Sequence, residues 1–163
     1  MNPTIVRLGE MRVAGLQIRT TNEAERGANG KIGPLWHRYY EQGYLERTPG
    51  KKQPGVVYGV YSDYESDEQG EFSLLVGVEV EAGAQLPAEL TVKTIPAATY
   101  AVFTTRVGPI VEVIQEAWAH IWAWSRESGV KRTFVADFER YDSVSCADPN
   151  QAQVKIYIGI EQT

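Results

Sequence analysis

The amino-acid sequence predicts an α+β fold built from two copies of a β-α-β-β unit that meet at a central groove. The segment Phe72-x-Leu74-x-Val76-Gly77-Val78-Glu79 returns as Val154-x-Ile156-x-Ile158-Gly159-Ile160-Glu161. At the same offset Trp36 falls on Trp118 and Tyr40 on Trp122, so two helices correspond as the strands do. Each half, about 1–82 and 88–163, reads strand, helix, strand, strand. Two copies of one supersecondary unit predict a pseudo-two-fold body with a groove between the copies. At 163 residues the chain reads as a single domain with length enough to bury a sizeable core.

The elements follow in order. Met11 to Thr20 carries Val13, Leu16 and Ile18 between polar flanks and reads as a strand. A polar loop, Thr21 to Lys31, leads to Ile32, Leu35, Trp36, Tyr39 and Tyr40, whose spacing marks one face of a helix. Gly43 and the Thr48 to Gly55 stretch end it, because neither Pro49 nor Pro54 can continue a helix. Val56 to Tyr61 and Phe72 to Val80 are strands joined by an acidic turn. After a connector at Gly83 to Pro87, Leu90 to Ile95 and Thr99 to Arg106 read as a strand pair or as one strand broken at Pro96. Gly108-Pro109 opens the strongest helix, with Ile110, Val113, Ile114, Ala117, Trp118, Ile121 and Trp122 along one stripe, and Ser128-Gly129 stops it. Phe134 to Tyr141 and Val154 to Glu161 are the last strands, and Gly77 and Gly159 within the repeated strands mark a bulge or a close approach.

Composition excludes several functions. Twenty-one acidic and 16 basic residues give a net charge of -5, which argues against a phosphate-backbone partner and favours cationic ligands. No apolar window reaches the length of a membrane span and no signal-type leader is evident, so the chain reads as soluble and cytoplasmic. The single cysteine, Cys146, fits that compartment and reads as a loop bystander. His37 and His120 stand alone on helices without further ligands near in sequence, so no metal is expected. Phosphate-binding, dinucleotide and nucleophile-elbow motifs are absent, and no cofactor is implied. Glu112 and Glu116 repel at i, i+4 and belong to the wet face of their helix.

The stretch with most chemical content is FVADFERY. Alternation sends Phe134, Ala136 and Phe138 one way and Val135, Asp137, Glu139 and Tyr141 the other. A carboxylate alternating with aromatic groups is either solvent-facing decoration or the floor of a binding site. In the third element of each unit, Tyr61-Ser62-Asp63-Tyr64 lies opposite Phe138-Glu139-Arg140-Tyr141: the aromatic pair is kept, and serine in one copy stands where the other has glutamate.

The helix IGPLWHRYY, the strand LLVGVEV, the helix GPIVEVIQEAWAHIWAW and the strand FERY together resemble the GyrI-like small-molecule-binding domains, found also as effector domains of BmrR- and Rob-type regulators. The resemblance spans nearly the whole chain. It implies duplicated SHS2-type units in one curved antiparallel sheet, and a hydrophobic groove that takes lipophilic organic cations with Glu139 as its acidic determinant. No DNA-reading segment is evident outside the repeat, so the resemblance implies a stand-alone sensor or sequestering module that does not itself bind nucleic acid. Candidate ligand-binding residues are Glu139, Tyr141, Trp118, Trp122, Trp36, Tyr58, Phe103, Tyr157 and Glu161, with Glu79 and Glu161 as possible second acids. The tryptophans equally suit plain core packing. A ligand-binding protein is favoured over an enzyme. Two other readings stay open: a hydrolase of reactive electrophiles using pocket carboxylates, and a gyrase-inhibitor-like domain with a protein partner.

Overall fold

A computed structural model describes residues 2–161. The chain runs β1 (Thr4–Leu8), β2 (Met11–Thr20), α1 (Asn22–Glu25), α2 (Ile32–Glu41), α3 (Tyr44–Arg47), β3 (Val56–Ser62), β4 (Phe72–Glu79), β5 (Thr91–Ile95), β6 (Ala98–Thr104), α4 (Ile110–Glu127), β7 (Arg132–Asp142) and β8 (Lys155–Ile160). All eight strands pair antiparallel in one sheet of order β1-β6-β8-β7-β3-β4-β2-β5. The two repeats meet at its middle, where β3 pairs with β7.

The ends of that order are tied together. Leu8 faces Ala98 in the β1–β6 pair and Met11 faces Ile95 in the β2–β5 pair, one continuous register across both chain breaks. The segment around Pro96 is therefore one broken strand, and it pairs along its length with another broken strand. That curls the sheet. β1 was not among the expected strands: five residues, mostly exposed, give little apolar alternation to read.

Two-residue periodicity sorts the side chains onto two faces. On the concave face Met11, Val13, Tyr58, Val60, Leu75, Ile95, Tyr100, Val102 and Phe138 pack against one another. The opposite face carries the helices. α2 covers Ala14, Leu16, Leu74, Val76 and Val78 with Leu35 and Tyr39, and α4 covers Ala101, Phe103, Ile156 and Ile158 with Ala117 and Ile121. The start of α2 is held by Glu25, whose carboxylate accepts the backbone N–H of Lys31 and Ile32 and the Thr20 hydroxyl. Burial pushes the Glu25 pKa up, but these donors outweigh it and the net shift is downward.

The repeated strand glycines serve different ends. Gly77 faces Gly15 across β2–β4, and a Cβ on either would overlap the carbonyl of the partner strand. Gly159 lies beside a bulge. β7 pairs with β8 at Arg132–Ile160 and resumes at Asp137–Ile158, and a Cβ on Gly159 would come within 2.8 Å of Ala136 O and Thr133 Oγ1. Phe134 sits in this bulge at φ +53°, which breaks the simple alternation that put it on the face of Phe138. Its ring turns to Tyr64, 5.5 Å away, with the Arg132 guanidinium 4.4 Å above it.

Gly77→Ala should lower unfolding free energy by about 3 kcal/mol or more, whereas Gly9→Ala, where nothing lies within 4 Å of the added methyl, should change it by less than about 0.5 kcal/mol. Urea denaturation of both variants measures the difference.

Candidate functional site: a buried glutamate between two helices

The central β3–β7 pair lies between α2 and α4, and its helix-facing positions include Val57, Gly59 and Tyr61 on β3 and Asp137, Glu139 and Tyr141 on β7. Glu139 is 2% exposed. Its Oε2 accepts the Trp118 indole N–H at 2.7 Å and the Tyr61 hydroxyl at 3.0 Å, and its Oε1 accepts the Tyr141 hydroxyl at 2.6 Å. Gly59 faces Glu139 across the strands, and a Cβ there would lie 3.1 Å from Glu139 Oε1 and 3.3 Å from Trp36 Cζ2. The missing side chain lets Trp36 and the carboxylate come close. Trp36 meets Tyr141 edge-on at 4.9 Å, Trp118 meets Tyr61 at 5.3 Å, and Trp122 continues the wall 6.2 Å from Trp118. Trp36 from one repeat and Trp118 from the other thus flank the same acid.

The strand registers show how the copies diverged. Tyr61 faces Leu74 in the first unit and Glu139 faces Ile156 in the second, and Leu74 and Ile156 are counterparts in the repeat. Tyr61, not Ser62, is therefore the counterpart of Glu139. The two copies contribute a phenol and a carboxylate that hydrogen-bond across the pseudo-axis.

The neighbouring carboxylate on this face is in a different state. Asp137 is fully buried but neutralised: Arg132 Nη2 donates to Oδ2 at 2.8 Å, Tyr64 donates to Oδ2 at 2.5 Å, and the Gly159 N–H donates to Oδ1 at 2.8 Å. Glu139 has neutral donors alone and makes no ion pair among the described residues. Burial consequently pushes its pKa above the ordinary carboxylate value, with the three donors pulling the other way. Burial and the adjacent carboxylate drive the Tyr61 and Tyr141 hydroxyls well above the usual tyrosine range, so both stay donors at neutral pH.

The other residues singled out from sequence lie elsewhere. Tyr58 and Tyr157 are on the concave face, packed on Phe138 at 5.6 and 4.5 Å. The reason is parity: Tyr58 is an odd number of residues from Tyr61, and Tyr157 directly follows a helix-facing isoleucine. Phe103 is fully buried under α4 against His120 and Trp124. Glu161 is exposed beyond the end of β8, its N–H donating to Lys131 O. Glu79 also belongs to the concave face, 3.8 Å from Lys52. Tyr61 and Gly59 were not singled out.

Glu139's raised pKa means that its folded-state contribution to stability is full below the ordinary glutamate pKa of about 4.3 and is lost as pH rises through the raised value. Wild-type protein should therefore lose stability relative to Glu139→Gln as pH climbs from that point toward neutrality. Paired urea midpoints across the range check this, and a relative gain by the wild type would contradict it.

Comparison with known proteins adds the lineage. The family model described as Cass2, integron-associated effector binding protein, matches residues 4–160. YobU of Bacillus subtilis (strain 168), named as a candidate transcriptional regulator, is 36% identical over 158 residues, covering 97% of each chain. The transcriptional regulator BrlR of Pseudomonas aeruginosa is 35% identical over 133 residues, which take 79% of this chain and 46% of BrlR, so the chain matches about half of that relative's length. Among solved structures, an integron cassette protein from Vibrio cholerae superposes with TM-score 0.79 at 28% identity, covering 98% of this chain and 96% of the other. SAV2435, solved bound to tetraphenylphosphonium, shares the fold with TM-score 0.77 at 20% identity over 99% of this chain and 94% of its own. With the curved antiparallel sheet and its paired helices in place, the chain belongs to the integron-associated effector binding protein family, a GyrI-like fold.

Proposed function

We propose that the chain binds lipophilic organic cations between α2 and α4, with Glu139 supplying the negative charge, and acts as a sensing or sequestering module. One observation carries this reading: Glu139 is a buried carboxylate whose hydrogen bonds all come from neutral groups, next to Asp137, which has its own arginine. A buried charge without a counter-charge is costly, and an incoming cation offsets that cost. A quaternary or delocalised cation offers few hydrogen-bond donors, so it is selected by charge, apolar contact and aromatic faces. Trp36, Trp118, Trp122, Tyr61 and Tyr141 supply the faces, each contact contributing about 0.5 to 2 kcal/mol depending on desolvation. Trp118 and the two tyrosine hydroxyls close over the carboxylate, so a ligand enters by displacing at least part of that aromatic cover.

That SAV2435 was solved with tetraphenylphosphonium, a cation of this chemistry, is consistent with the reading. The regulator names of the sequence relatives suggest the use to which such a module is put: as the ligand-sensing part of a regulatory system.

Tetraphenylphosphonium and the neutral, similarly aromatic triphenylphosphine oxide are the test pair. Titration followed by tryptophan fluorescence should show Glu139→Gln weakening the cation by about tenfold or more, or about 1.4 kcal/mol, while the neutral compound changes by less than about twofold. Equal losses for both would sink the electrostatic role. Because the cation binds the ionised carboxylate, wild-type affinity should also fall as pH drops through Glu139's raised pKa, and Glu139→Gln should lose that dependence.

A further inference from the structure

We propose that the concave face holds a second binding site, separate from Glu139, that takes a small aromatic carboxylate. A cleft of about 510 Å³ opens there, lined by Leu8, Glu10 and Met11 at the β1–β2 junction and by side chains of β3, β7 and β8. Its volume is in the range of small-molecule sites. Its floor is ordered in two adjacent rungs of the sheet. In one, Tyr58 faces Arg140 and Arg140 faces Lys155. In the next, Phe138 faces Tyr157, the two rings stacked at 4.5 Å and 14°. A cationic rung thus lies one step along the strands from an aromatic one, the arrangement that receives a flat ring carrying an acid group at one end.

Like charges directly opposite each other on paired strands are destabilising. Arg140 is partly engaged, with Nη2 donating to Gln53 Oε1 at 3.1 Å and Nη1 lying 3.6 Å from Asp142. Lys155 is exposed and makes no ion pair among the described residues. An anion set between the two relieves their repulsion and completes the coordination of Lys155. The acids at the cleft do not take that role. Glu79 is held by Lys52 at 3.8 Å and Gln53 Nε2 at 3.3 Å, and Glu10, exposed at the β1–β2 junction, makes no ion pair with Lys155 among the described residues. The ring rests on half-buried Tyr157, backed by buried Phe138 and Tyr58. None of these side chains touches Glu139, since the two sites occupy opposite faces of β7.

The experiment uses naphthoate, the neutral naphthamide and the cationic naphthylmethylammonium, titrated by calorimetry with a heteronuclear NMR shift map of the full chain. Naphthoate should bind with shifts centred on Tyr157 and Lys155, and the two other compounds should bind about tenfold more weakly or not at all. Lys155→Glu, a change at an exposed side chain, should abolish naphthoate binding without changing the thermal midpoint by more than a few degrees. Glu139→Gln should leave naphthoate affinity unaltered, which separates failure here from failure of the cation site. The proposal is overturned if naphthamide binds as well as naphthoate, if naphthoate fails to bind at millimolar concentration, or if its shifts map to Trp118 and Tyr141.

Discussion

The hydrogen bonding of Glu139 is the constraint around which the helix-bearing face is arranged. A carboxylate removed from water needs either a counter-charge or donors on its oxygens, and this one has three donors and no cation among the described residues. Each donor makes a demand on the fold. Trp118 requires α4, packed over β6 and β8, to lie near enough to β7 for its indole to reach Glu139, and Tyr61 requires β3 to pair with β7 in the observed register. Tyr141 requires β7 to stay regular beyond its bulge. Gly59 then leaves the space that brings Trp36 in from the other side.

Duplication accounts for the geometry. Two similar units joined through β3 and β7 place one helix on either side of that strand pair, and symmetry brings Trp36 and Trp118 to either side of a single point. Had both copies kept a carboxylate there, two like charges would face each other without water. A phenol and a carboxylate instead form a donor–acceptor pair. Asp137, on the same face, shows the opposite solution, a buried acid satisfied by Arg132 and Tyr64, and it serves the bulge around Phe134.

Much of this was readable from residue order. The repeat, both long helices and the paired tryptophans follow from periodicity and from matching the halves, and alternation along FVADFERY sets Glu139 on one face with Tyr141. What was not readable has definite causes. Tyr61 escapes a match made on the aromatic residues, Tyr61 and Tyr64 with Phe138 and Tyr141, which sets Ser62 against Glu139, whereas the strand registers through Leu74 and Ile156 set Tyr61 there. Gly59 drew no notice because its use depends on what lies across the strand. Tyr58 and Tyr157 were grouped with the acid on residue type, although the two-residue period of their strands puts them on the other face. There they line a cleft with Arg140 and Lys155, a pairing that only the registers of β7 with β3 and β8 bring together.

The central claim is that Glu139 is a buried acid whose ionisation a bound cation stabilises. Site-resolved carbon NMR of the Glu139 carboxyl, titrated with pH in the free protein and in the presence of saturating tetraphenylphosphonium, measures this most directly. The account predicts a free-state midpoint above the ordinary glutamate value and a clear downward shift on saturation. A midpoint that the cation leaves unmoved would contradict it.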